Sequence, residues 1–278
     1  MGALLTSFAA LKNSLTGSAF ASDPLAAASG DSLAIPNFVD GSRGYVEEII
    51  SGNSAHKMEV ATFGNRFGDP VMGLRLQHMF DPTLAGADSV PQLLLPATVD
   101  VPVYKGDTLT VQVLGTASDA VALVYQMYYE NMEGVSQRLA SWEQIVGRIG
   151  RLLGIEVTVT PGTTSNYGTA VALNANDDRL VGTTDYALLG ITTDQPVLSI
   201  GIKGPDTGNY RIACPGHWNS RISAGWFVDQ DARRPTPHIP IINALNKATT
   251  FVDGISPGNP GSTKVSFIFA ELTSGFFG

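Results

Sequence analysis

Gly134-Val-Ser-Gln-Arg-Leu-Ala-Ser-Trp-Glu-Gln-Ile-Val-Gly-Arg-Ile-Gly-Arg-Leu-Leu-Gly154 stands near the middle of the chain. Leu139, Trp142, Ile145, Val146, Ile149, Leu152 and Leu153 recur at steps of three and four, which predicts an amphipathic helix. Arg138, Glu143, Arg148 and Arg151 fall on the other faces, and Gly154 stands where a C-cap is expected. On both sides the sequence turns into short alternating apolar runs broken by Gly, Pro, Asn and Asp, the pattern of strands. The stretch therefore reads as a helix dividing two β units, with Leu139, Trp142, Ile145, Ile149 and Leu152 as its packing stripe.

Outward from that divider, 278 residues suffice for two β domains or one large one. A hydrophobic fraction of 44% excludes disorder, and a charged fraction of only 15% suggests a surface partly covered by partners. The formal net charge of -8 and the lack of a Lys/Arg cluster argue against direct nucleic-acid binding. Arg233-Arg234 is the only adjacent basic pair. Cys214 is the single cysteine, so no intrachain disulfide forms. No apolar run approaches membrane-spanning length. The opening residues imitate a signal peptide ending at Ala19-Phe20-Ala21, but they lack a basic n-region and Lys12 interrupts them.

Residues 2–15 place Leu4, Leu5, Phe8, Leu11 and Leu15 on one helical stripe, which predicts a short N-terminal helical arm. That arm docks either on its own domain or on a neighbouring subunit or lipid surface. The Ala/Ser/Gly-rich residues 16–30 read as a linker. Strands then follow in both halves, and the nearly all-apolar run Val121–Tyr129 predicts a strand covered on both faces. The expected organisation is an arm and linker (1–31), a first β-sandwich (32–132), a connecting helix (133–154) and a second β-sandwich (155–278). The fold class is all-β, two sandwiches of jelly-roll or similar type.

The halves echo each other. Pro70–Leu76 is similar to Pro196–Ile202, and Lys105–Glu130 to Lys247–Glu271, which suggests two copies of one unit. Together with the Gly134–Gly154 helix and the Leu4–Leu15 arm, these paired segments resemble the double jelly-roll major capsid proteins of tailless icosahedral viruses. The resemblance extends over most of the chain as a pattern and contains no diagnostic motif. It implies upright paired jelly rolls, homotrimeric capsomers in a larger lattice, and an arm that reaches a neighbour, another virion protein or an internal membrane. A single jelly roll with a helical insertion is the alternative.

No residues are nominated as catalytic, and no metal or cofactor site. His56, His78, His217 and His238 show no helical ligand spacing. Cys214-Pro-Gly-His217-Trp218 reads as a turn with a half-buried aromatic, with a Cys/His nucleophile pair as the minor alternative. Asn174-Ala-Asn176-Asp177-Asp178 reads as a surface turn, since the Gly and distal Glu of an EF-hand are missing, with a structural calcium at a subunit contact as the minor alternative. The acidic pair Glu47-Glu48 reads as a solvated edge, because neighbours on a strand point to opposite faces. Gly254–Gly261 lacks the features of a phosphate loop. Two functions compete above an enzymatic one. The first is a self-assembling shell protein of a virion. The second is a secreted or cell-surface β-sandwich binding carbohydrate or a receptor, with Tyr210, Trp218, Trp226 and Phe227 as stacking residues.

Overall fold

The computed structural model describes residues 2–33, 43–53, 58–62, 73–78, 91–96, 99–105, 107, 109–163, 166–216, 221–258, 260–273 and 276. Strands dominate them. The first half contains β1 (Gly2–Lys12), β2 (Ala26–Ala27), β3 (Gly44–Asn53), β4 (Met58–Thr62), β5 (Leu74–His78), β6 (Gln92–Leu93), β7 (Val101–Val103), β8 (Val111–Leu114) and β9 (Val121–Met132). One sheet runs β2-β1-β9-β3-β6, with β7 also on β3, and a second runs β5-β4-β8. Val60, Val111 and Val113 of the smaller sheet share a core with Leu4, Phe8, Leu123 and Tyr125 of the larger one, so the two sheets form a sandwich.

After β10 (Leu139–Ala140) and α1 (Trp142–Ile145), the second half contains β11 (Ile149–Val159), β12 (Val171–Ala172), β13 (Asp185–Thr193), β14 (Val197–Lys203) and β15 (Ile212–Gly216). Two helices follow, α2 (Arg221–Ala224) and α3 (Trp226–Arg233), and then β16 (Ile239–Asn243), β17 (Phe251–Ile255) and β18 (Thr263–Leu272). The sheets run β10-β16-β13-β18-β11 and β12-β17-β14-β15. Ile155, Phe267 and Phe269 of one meet Val197, Ile200 and Ile202 of the other in a common core.

The divider is not one helix. Ser141 starts one α-helical turn, its N–H donating to Gln144 Oε1 at 2.8 Å, and a 3-10 turn follows that ends at Arg148. From Ile149 the chain is strand, paired rung by rung with β18 from Leu272 to Thr263. Gly154, expected as a helix cap, sits opposite Ile268 inside that ladder. Gly147, Gly150 and Gly154 each disfavour a helix by about 1 kcal/mol, and the ladder supplies the alternative. The stripe is consequently dispersed: Leu139 lies on β10, Trp142 is half-buried and Ile145 fully buried on α1, while Ile149 and Leu152 lie on β11 with Leu152 exposed.

The N-terminal arm is also a strand. β1 lies between β2 and β9 in the first unit's larger sheet. Its side chains alternate as the strand period requires. Leu4, Phe8 and Ala10 enter the first unit's core, joined by Leu15 beyond the strand. Leu5 packs into the second unit's core, and Ala9 and Leu11 into a cluster shared with Leu198, Ala213 and Ile255 of the second unit. A strand covered on both faces is apolar at nearly every position, and such a run also satisfies a helical stripe. The neighbouring β9 is buried from Val121 to Tyr129, in keeping with its apolar run.

Both halves use one strand order. Taking β6 and β7 together as one position, the first, eighth, third and sixth strands form one sheet in each half. The seventh, fourth and fifth form the other in both halves. The second joins it in the second half, whereas in the first half β2 pairs with β1 and an isolated bridge from Pro24 to Gln112 reaches the smaller sheet. Lys105–Glu130 and Lys247–Glu271 carry matching strands, β8–β9 and β17–β18. The other echo does not hold. Leu74–Leu76 lies on the outer β5, whereas Val197–Ile202 lies on β14 between β17 and β15, whose counterpart is β4.

Gly190 marks a tight contact. It follows a register shift in β13, and a Cβ there would collide with the backbone of Ser223 and Ala224 in α2. Gly190→Ala is expected to cost about 1–3 kcal/mol, measured by urea unfolding, because backbone must move to admit the methyl group. An unchanged midpoint would show that α2 yields freely.

Candidate functional site

A group of buried charged side chains lies where the two units meet, and it begins at Glu47-Glu48. The β3–β9 register shifts between Val46 and Glu48, so Glu47 sits at a bulge. Strict alternation fails there, and both carboxylates are buried, each 3% exposed. The reading of this pair as a solvated edge is therefore wrong. Glu48 Oε1 accepts from the N–H groups of Ile49 at 3.0 Å and Leu95 at 3.1 Å. Burial pushes the Glu48 carboxyl up to about 7, against those hydrogen bonds and the pull of Arg234 and Arg233.

Glu47 faces the second unit. Its Oε1 lies 2.7 Å from His238 Nε2 and 3.2 Å from Arg234 Nε. Arg234 also donates to the Glu47 carbonyl at 2.9 Å, to Asp100 Oδ1 at 2.9 Å and to Gln230 Oε1. The fully buried His238 ring stacks on Tyr128 with centroids 5.1 Å apart, and its Nδ1 lies 2.6 Å from the Thr236 carbonyl oxygen. Trp226 donates from Nε1 to Gln126 Oε1 at 3.2 Å, and Gln126 Nε2 lies 3.4 Å from Glu47 Oε2. Asp231 accepts from the N–H of Trp142 at 2.7 Å and of His238 at 3.2 Å, anchoring the segments around α1 and α3.

A second polar node lies farther along the seam. Arg211 holds Asp253 through Nε at 2.9 Å and Nη2 at 2.8 Å, and Asp31 through Nη1 at 3.1 Å. Its guanidinium covers the Tyr167 ring at 3.4 Å, while Tyr167 Oη donates to Asp31 at 2.8 Å. Burial raises the Asp31 carboxyl above the usual range, although Ala9 N–H and Arg211 oppose it. Along the edge of β1, the Gln137 side chain exchanges hydrogen bonds with Leu5 N and O at 2.8 Å, and Ser7 N–H donates to the Arg211 carbonyl at 2.8 Å. Beside these groups a cleft of about 300 Å³ is lined by Leu4, Phe8, Asp31, Lys203, Tyr210 and Arg211.

The other sequence candidates are spread apart. Cys214 is fully buried, and burial pushes its thiol well above the usual range, which makes a poor nucleophile. His56, His217 and Trp218 lie outside the described residues. The Asn174–Asp178 loop covers a strand edge. Asn176 accepts from Thr158 N–H at 2.8 Å, Asp177 accepts from Glu156 N–H at 3.4 Å and pairs with Arg179, and Asp178 pairs with Lys247 at 2.5 Å. Arg179 takes the Gly154 carbonyl, so the loop side chains block the edge of β11. Of the proposed stacking residues, Trp226 and Phe227 are wholly buried, and Tyr210 is exposed on the cleft.

A carboxylate touching an imidazole is the arrangement that orients a general base. Here both ring nitrogens face oxygen acceptors inside protein, so the geometry serves to join the units. Among the described residues, no three His, Cys, Asp or Glu side chains gather in a metal-holding arrangement. Sequence reasoning missed this cluster, although its parts were visible. Two adjacent acids interrupt an apolar strand in one half, and the one adjacent basic pair, followed by His238, stands in the other. Compared with known proteins, the chain matches no family model and no curated sequence.

Proposed function

We propose that the chain is a structural shell protein, a double jelly-roll capsid subunit that assembles with copies of itself into trimers and a larger lattice in a virion. One observation carries this reading: two sandwiches in tandem share a strand order, first-eighth-third-sixth facing seventh-fourth-fifth, with the second strand completing the smaller sheet in the second half and Pro24, just before β2, bridging to it in the first. A double sheet of eight strands in each unit is what a jelly roll requires, which supports the reading. The seam adds support. It buries the larger sheet of the first unit against the smaller sheet of the second through Ile50, Ala122 and Val124 against Leu198, Ala213 and Ile255. Two sandwiches locked in this way form a stiff block, which suits repeated packing. The carbohydrate-binding reading loses Trp226 and Phe227 to the core and retains Tyr210 as its exposed aromatic on the cleft.

Assembly tests the proposal. Sedimentation velocity of the purified chain is expected to show trimers or larger species, and negative-stain images are expected to show threefold particles. A chain that stays monomeric at every concentration and ionic strength, and yields no particles, would reject it.

A further inference from the structure

The cleft of about 300 Å³ beside Arg211 combines an apolar wall with exposed polar side chains. Leu4, Thr6 and Phe8 stand at alternate positions of β1, so they share one face of the strand and line the cleft together. Lys203 at the end of β14, and Asn209 and Tyr210 just before β15, also line it, and all three are exposed. We propose that this cleft binds a neutral saccharide, with Tyr210 as the stacking platform and Lys203 and Asn209 as hydrogen-bond donors to its hydroxyl groups.

The first support is the mixture of surfaces. A sugar ring has a face of C–H groups and a rim of hydroxyls, so it needs an aromatic or aliphatic plane and a few polar groups beside it. Leu4, Phe8 and the 39%-exposed Tyr210 supply the apolar part. Among the described residues Lys203 has no ion-pair partner and the Asn209 amide has no hydrogen-bond partner, so their donors are open to a ligand. A cleft of this volume stands at the lower end of ligand pockets, about 300–1,000 Å³, which suits a short saccharide.

The second support is that the platform is rigid before anything binds. Tyr210 N–H donates to Thr207 O at 3.1 Å, and its carbonyl accepts from Thr207 Oγ1 at 2.7 Å. Asn209 N–H donates to Gly204 O at 2.8 Å. Gly208 and Asn209 both take left-handed backbone, with φ of 62° and 61°, which these two residue types accept readily. Asp206 ties the same loop to Asn243 N–H and to the Asn246 side chain, each at 2.9 Å. A fixed loop loses little conformational freedom on binding.

The third is charge. Lys203 and Arg211 are the two cations at the cleft, and Asp31 and Asp253, both held by Arg211, are two carboxylates against them. The sum is zero, so a ligand of either sign meets repulsion as well as attraction, and an uncharged polyol meets neither. The inference is independent of the shell reading, because one chain builds the whole cleft. A monomer that binds sugar supports it, and a chain that assembles without binding sugar overturns it alone.

Saturation-transfer NMR of the full-length chain with lactose, maltose and cellobiose tests it. Each is added at about 10 mM, enough to fill a site with a Kd of about 1 mM. At least one of the three is expected to receive saturation. Tyr210→Ala is expected to weaken its binding about tenfold or more, while Tyr210→Phe, which keeps the ring, stays within about threefold of the wild type. Lys203→Met is expected to cost about threefold to tenfold, the factor for one hydrogen bond. Tyr104→Ala is the control, since Tyr104 is 59% exposed but does not line the cleft, and it is expected to change nothing. No transfer to any of the three sugars would overturn the proposal. So would a Tyr210→Ala variant that binds like the wild type, or glucuronate binding more tightly than all three.

Discussion

Deleting residues 2–12 is expected to leave the first β unit unfolded. β1 pairs with β9 from Gly2 to Lys12 and with β2 at Ala10 and Leu11, so its removal strips β9 of one neighbour along its length. Leu4, Leu5, Phe8 and Leu11 are all buried, and each such side chain contributes about 1.5–3 kcal/mol. Their joint loss is comparable to the whole stability of a domain, about 5–15 kcal/mol, before any cavity cost is added. The expectation is opposite to that for a helical arm docked on a neighbouring subunit or a lipid surface, whose loss would leave both β domains folded and impair assembly. Circular dichroism with thermal melting distinguishes them. A truncated chain that retains its strand signal and melts cooperatively in one transition would show that β1 is dispensable.

Arg234→Met is expected to cost about 3–5 kcal/mol, the range for breaking a buried ion pair from one side. The Arg234 side chain is 4% exposed and serves Glu47, Asp100 and Gln230 together. Methionine fills much of the volume but removes this cation from both Glu47 and Asp100. Arg233→Ala one position earlier is the control. Its partner Asp229 is 39% exposed, and such surface pairs contribute about 0–1 kcal/mol. Urea unfolding of the two variants side by side reads the difference. Equal and small shifts in both would show that the seam charges are solvated.

The two predictions fall on opposite sides of what a reader of this sequence can see. The mostly-β class was legible, because short apolar runs cut by turn residues occupy both flanks of the divider. The double burial of β9 was legible too, since Val121–Tyr129 has almost no polar position to offer solvent. The match of β8–β9 with β17–β18 could be read from the spacing of Lys105–Glu130 and Lys247–Glu271. The pairing of Pro70–Leu76 with Pro196–Ile202 rested on a few shared residue types, and strand position is not encoded at that scale.

By itself, then, the sequence determined which segments are apolar, where turns interrupt them, and that two similar β halves stand in tandem. Tertiary structure alone decided how the two ambiguous segments fold. Leu4–Leu11 and Ile149–Leu153 satisfy a helical stripe and a two-faced strand equally well, and the choice falls to whichever partner completes the backbone hydrogen bonds. Those partners are β9 and β18, more than a hundred residues away. The same holds for the charge cluster. Local alternation assigns Glu47 and Glu48 to opposite faces, and only the bulge against β9, together with Arg234 and His238 approaching from the other unit, makes burial of both affordable. A carboxylate's environment is set by the groups that surround it in space, and strand periodicity carries no information about what lies across a seam.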